Sequence, residues 1–136
     1  MKLIKALQEI TSSVENAFLT AGMVDGLSLG EEEIKNATEP IFWFVYVKSS
    51  SASEKQYYIV WNYQLINSEY GDGEKLMFPF EVAITFYSRN KMVDIYVEKI
   101  ENAFLDNHYI FEFGSVDYDT NRMMYSYKFV VKAMVG

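Results

Sequence analysis

The sequence contains no cysteine, which excludes disulfides and thiolate metal sites and is compatible with folding inside a cell. It contains one histidine, His108. Without a cysteine or a second histidine, no familiar nucleophilic or zinc site can be built around it, and its place after a predicted helix suits a helix-terminal cation. Basic residues are scarce too: 12 Lys and Arg stand against 19 Asp and Glu, for a net charge of −7 and a pI near 4.7. Only Arg89 and Arg122 carry the guanidinium fork suited to phosphate, so a specific nucleic-acid surface is not expected. No apolar run approaches membrane-spanning length, and the N-terminal stretch Met1 to Ile10 is too interrupted by polar residues to read as a signal peptide. The glycine patterns of dinucleotide sites, P-loops and nucleophile elbows are absent as well.

Aromatic and apolar residues are abundant. Half the residues are hydrophobic and 17% are aromatic, with 11 Tyr, 10 Phe and 2 Trp. That composition predicts a large core and strand-rich architecture, since aromatic side chains pack well on pleated surfaces and recur in protein contacts. At 136 residues the chain suits a single domain spanning 1–136.

Periodicity supplies the element order. Leu3, Leu7, Ile10, Val14, Ala17 and Phe18 recur at helical spacing and predict an amphipathic first helix. Gly22, Gly26 and Gly30 then break the chain, and 21–40 reads as a crossing loop with one short acidic turn at Glu31 to Asn36. Ile41 to Val47 is an uninterrupted apolar strand, with Tyr57 to Leu65 as its expected hairpin partner. Ile66 to Met77 reads as an exposed acidic loop. Phe80 to Tyr87 alternates as a third strand, with Phe80, Val82, Ile84 and Phe86 on one side. A second helix is expected from Lys91 to Leu105, presenting Val93, Val97, Ile100 and Phe104 to that side. Tyr109 to Phe113 and Met123 to Val135 are the last strands, with a turn around Asp117 to Asn121. The expectation is an α+β fold of order α-β-β-β-α-β-β: a mixed or antiparallel sheet of about five strands with two helices packed on it. The pentapeptide Glu-Asn-Ala-Phe-Leu occurs at both Glu15 to Leu19 and Glu101 to Leu105, but the segments that follow differ, which argues against a duplicated unit.

Candidate chemistry is thin. Glu112 with Asp117, or Asp117 with Asp119, are the carboxylate pairs available for acid/base work; their positions on an outward strand face and in a turn favour solvation and local hydrogen bonding. Glu69 to Glu74 has the acidic, glycine-bearing character of a calcium loop without its ligand spacing. No catalytic residue, cofactor or metal is expected, and the chain is read as working through contacts with other proteins.

The segment Val82-Ala83-Ile84-Thr85-Phe86-Tyr87-Ser88-Arg89-Asn90-Lys91, running into the helix that ends at Glu101-Asn102-Ala103-Phe104-Leu105, resembles the tail terminator (tail completion) proteins of long-tailed bacteriophages and related prophage or tailocin modules. Tyr57-Tyr58-Ile59-Val60-Trp61-Asn62 is similar to the second strand of that family, and the element order fits over nearly the whole chain. The resemblance implies a structural virion subunit, assembled in the bacterial host cytoplasm and located in the tail or neck. There it joins copies of itself in a ring, typically a hexamer, that caps the tail tube protein and meets the head-side connector protein. Interface residues implied on that reading are Glu69, Tyr70, Asp72, Glu74, Arg89, Asp117 and Asp119. The competing readings are another neck or head-completion protein, an acidic immunity or inhibitor protein that masks a basic site, and a small carboxylate enzyme.

Overall fold

The first helix, α1 (Lys2–Thr20), ends where the sequence offers the residue a helix end needs. Gly22 adopts φ 89, and the N–H groups of Gly22 and Met23 donate to the carbonyls of Leu19 and Phe18, each at 3.0 Å. This paired arrangement satisfies two carbonyls that the helix leaves open, and it brings Met23 back into the core beside Phe18. The structure, a computed structural model, describes residues 2–47, 57–66, 78–89, 94–106 and 109–135.

Beyond α1 come β1 (Val24–Asp25), a 3₁₀ turn (Gly26–Ser28), α2 (Glu31–Asn36), β2 (Ile41–Phe44), β3 (Tyr57–Leu65) and β4 (Phe78–Ser88). They are followed by α3 (Asp94–Leu105), β5 (Ile110–Asp119) and β6 (Met124–Val135). The strands form one mixed sheet in the order β1-β2-β3-β4-β6-β5. The fold is therefore α+β as expected, with six strands and three α-helices among the described residues where about five and two were predicted.

One face of the sheet carries α1 and α3. Ile10, Val14, Phe18, Ile100 and Phe104 pack there against Phe42, Ile59, Trp61, Phe80, Val82, Ile84, Phe86, Phe129 and Val131. Each such side chain withdrawn from water stabilises the fold by about 1.5–3 kcal/mol. Phe18 is the hub, meeting Phe42 at 5.0 Å, Trp61 at 6.1 Å and Phe104 at 5.8 Å between ring centroids. The expected facing of β4 and the second helix is present, with the Phe86 and Tyr96 rings 6.2 Å apart; α1 shares that face of β4, which the pairing of β4 with one helix omitted. Val93 lies outside the described residues.

Four expectations are corrected. β2 and β3 are parallel, Ile41 opposite Tyr58 through Phe44 opposite Trp61, and so do not form a hairpin. An unalternating apolar run is the mark of a strand covered on both faces: Phe42 faces the α1 side, while Ile41 and Trp43 join Ile34 of α2, Tyr58 and Met124 in a second, smaller core. β2 also stops at Phe44, short of Val47. Val45 has φ 71, and the N–H of Tyr46 donates across it to the carbonyl of Phe44 at 2.8 Å, a strained three-residue turn. The predicted loop 21–40 contains a strand, a 3₁₀ turn and a helix; Glu33 Oε1 accepts from the Gly30 N–H at 3.2 Å and so fixes the start of α2. Finally, Asp117 and Asp119 belong to β5. Asp117 stands opposite Ser126 and Asp119 opposite Met124, and the turn occupies 120–123. Asp119 is the residue that makes that turn, accepting from the N–H of Asn121 at 2.9 Å and of Arg122 at 3.2 Å.

Candidate interaction surface

The sheet has unequal edges. β1 is two residues long, whereas β5 runs for ten, and among the described residues no strand pairs with its outer side. A long open edge presents unpaired N–H and C=O groups that another strand can satisfy. α3 covers only the beginning of β5, where Phe111 stacks 6.2 Å from Phe104. Farther along, the side chains that point to the helix side emerge into solvent: Phe113 is 56% exposed, Val116 47% and Tyr118 50%, with Ile110 60% exposed on the opposite face. Apolar surface grouped in this way marks a contact site more often than scattered exposure does.

A bulge divides β5. Phe113 lies opposite Phe129 and Ser115 opposite Lys128, leaving Gly114 as the extra residue. A Cβ at Gly114 would stand 3.0 Å from the carbonyl oxygen of Lys128, so glycine lets the bulged backbone lie close to β6. On the face away from α3, acidic groups of β5 meet lysines of β6. Lys132 Nζ is 3.7 Å from Glu112 Oε1, and Lys128 Nζ is 3.8 Å from Asp117 Oδ2.

The two arginines converge at the β5–β6 turn. Arg122 Nη1 donates to Asp119 Oδ2 at 2.7 Å, its guanidinium lies 5.1 Å over the Tyr87 ring, and Arg89 Nη1 donates to the Arg122 carbonyl at 3.4 Å. The side-chain bond from Arg122 holds the Asp119 carboxyl below its ordinary range, and the same bond raises Arg122. Tyr58, beneath Tyr87 at 4.8 Å, has its phenol pushed upward, chiefly by burial. Toward the other edge of the sheet, Leu27, Val45 and Tyr46 are exposed and Phe44, which rests on Trp61 and Tyr63, is partly so.

Of the residues singled out by sequence, Arg89 and Asp119 meet through Arg122, and Asp117 sits farther along β5, paired with Lys128. Glu69, Tyr70, Asp72, Glu74 and His108 lie outside the described residues. The carboxylates Glu112 and Asp117 share a face but are exposed, each with its own lysine, so they do not converge on a substrate-sized space. No group of three His, Asp or Glu suited to a metal ion occurs among the described residues. No helix there is long and apolar enough to cross a membrane. Phe113, Val116 and Tyr118 were missed as surface residues. Phe113 was expected to end its strand and Tyr118 to lie in a turn, so the shared face that the bulge gives them had no local signal.

No family model matches this chain, and no curated protein does. Among solved structures, one from Akkermansia muciniphila aligns at 12% identity and TM-score 0.29, over 58% of this chain and 40% of that one. At that level of similarity it carries no argument about fold or function.

Proposed function

We propose that the chain is a structural subunit of a bacteriophage tail, a terminator that joins copies of itself in a ring, caps the tail tube and meets the head-side connector. The observation that supports a contact role most directly is exposed apolar side chains at both ends of one sheet: Phe113, Val116 and Tyr118 on one face of β5, and Leu27, Val45 and Tyr46 near β1 and β2. Two different surfaces at opposite ends are what head-to-tail association requires, and such association closes into a ring when the rotation per subunit allows. The resemblance of 82–105 and 57–62 to tail terminators supplies the particular kind of ring. A net charge of −7 suits a channel through which DNA slides without adhering. On this reading Arg89, Asp117 and Asp119 border the subunit contact, and Glu69, Tyr70, Asp72 and Glu74, which lie outside the described residues, take part in contacts with a neighbouring ring.

The test is negative-stain imaging of the purified chain added to polymerising tail tube protein. The reading expects a ring at one end of each tube and an end to tube growth. Tubes that lengthen undisturbed, with no added density at their tips, would overturn it.

A further inference from the structure

We propose that in the free protein β5 pairs with β5 of a second copy, antiparallel about a twofold axis between Gly114 and Ser115, joining two six-stranded sheets into one. The inference does not rest on the tail reading. It concerns the isolated chain and would hold whatever larger assembly the protein joins.

Side chains alternate between faces, so a regular strand of ten residues laid antiparallel on its own copy from end to end would set every residue opposite one of the other face. β5 is not regular. The bulge at Gly114 resets the alternation, so that Phe111, Phe113, Val116 and Tyr118 share the face opposite β6 residues Val131, Phe129, Tyr127 and Tyr125. With the bulge at the centre, end-to-end self-pairing sets Phe113 opposite Val116 of the second copy and Phe111 opposite Tyr118, apolar against apolar on one face. The two bulges meet at the axis, two residues against two, and add no further irregularity.

The other face is tolerated in this register but does not select it, because carboxylates directly opposite each other repel. There Glu112 comes opposite Asp117 of the second copy. Each carboxylate keeps its own lysine, at 3.7 Å from Lys132 and 3.8 Å from Lys128, so two acids and two bases form one compensated row across the joint. A slip of one residue sets apolar side chains against these carboxylates, and a slip of two leaves each bulge facing a regular residue. The bulge, which guards this edge against unrelated strands, thus sets the register, with Ile110 opposite Asp119 of the second copy at each end.

Area permits it. An aromatic side chain offers roughly 150–250 Å², and Phe113 and Tyr118 are about half exposed, as are Ile110 and Val116. On the joined face Phe113, Val116 and Tyr118 supply on the order of 300 Å² per copy, so the joint is at the small end of specific contacts and draws the rest from flanking residues. A ring that uses the same edge must first open this pair, so the dimer would also keep the edge covered until assembly.

Two measurements test the proposal together. Sedimentation of the full chain at micromolar concentration is expected to give twice 15.8 kDa, and Val116→Lys, a change at an exposed position, is expected to give the monomer with an unchanged far-ultraviolet circular dichroism spectrum. Because the chain has no cysteine, the double variant Phe113→Cys/Val116→Cys is expected to become a covalent dimer on mild oxidation, and neither single variant to do so to a comparable extent. A monomeric wild type, an oligomer indifferent to Val116→Lys, or equal cross-linking by the single variants would each overturn it.

Discussion

Gly26 lies against the indole of Trp43: a Cβ on this glycine would stand 2.2 Å from Cε2 and from Nε1 of the ring. Trp43 is fully buried in the smaller core between the sheet and α2, edge-on to Tyr58 at 6.2 Å between centroids. The 3₁₀ turn therefore closes over the indole only because it carries no side chain there. Gly26→Ala is expected to destabilise the fold by about 3 kcal/mol through overpacking, read as a lower denaturation midpoint at unchanged slope. A loss under about 0.5 kcal/mol would show that the turn moves freely off the ring.

Phe104 and Phe113 are both phenylalanines near the β5 hairpin with opposite roles. Phe104 is buried, touching Phe18, Tyr109 and Phe111, whereas Phe113 is mostly exposed beside Phe129. Truncation to Ala is expected to cost about 3–5 kcal/mol at Phe104 and under about 1 kcal/mol at Phe113 in the same urea titration, measured where the protein is monomeric. Equal losses would mean that α3 covers more of β5 than described.

Val45 carries a β-branched side chain at φ 71 and is 53% exposed, so little packing offsets its backbone strain of about 1–3 kcal/mol. Val45→Gly removes that strain and gives back about 0.5–1 kcal/mol through the freer unfolded chain. A net gain of about 1 kcal/mol in chemical denaturation is expected. A net loss would mean that the valine is held by contacts the strain argument ignores.

Much of this fold was legible in the sequence. Helical spacing from Leu3 to Phe18 and alternation from Phe80 to Phe86 report one covered face each, and burial in the structure follows those patterns except at Leu3, which is exposed. Strand direction was not legible. Ile41 to Phe44 reads the same whether its neighbour is parallel or antiparallel, and only the tertiary fold makes Tyr57–Leu65 parallel to it. The turn was misplaced for a related reason: Asp117 and Asp119 both favour turns locally, but pairing along β6 carries the strand on to Asp119. The surface was least legible. Exposure of Val116 and Tyr118 depends on where α3 ends, a fact of packing that no local pattern contains.

Glu15 of α1 has its carboxyl raised above 4.5, first by partial burial and then by the nearby charge of Asp25. A carboxyl raised in the folded state favours the fold below its unfolded value, and that contribution is lost as pH rises through the folded value. Glu15→Gln is therefore expected to match the wild type in acid and to exceed it at neutral pH. Given solvent screening, the gain is no more than about 0.5 kcal/mol. Paired denaturation curves at the two pH values decide it; a variant less stable than wild type at neutral pH would reverse the assignment.

Electron microscopy of phage lysates made with and without this chain tests the tail reading most directly. Without the chain, the reading predicts filled heads lying apart from tails whose tubes exceed normal length, with attachment and length restored when the wild-type chain is supplied in trans. Complete, infectious virions with tails of normal length in its absence would contradict it.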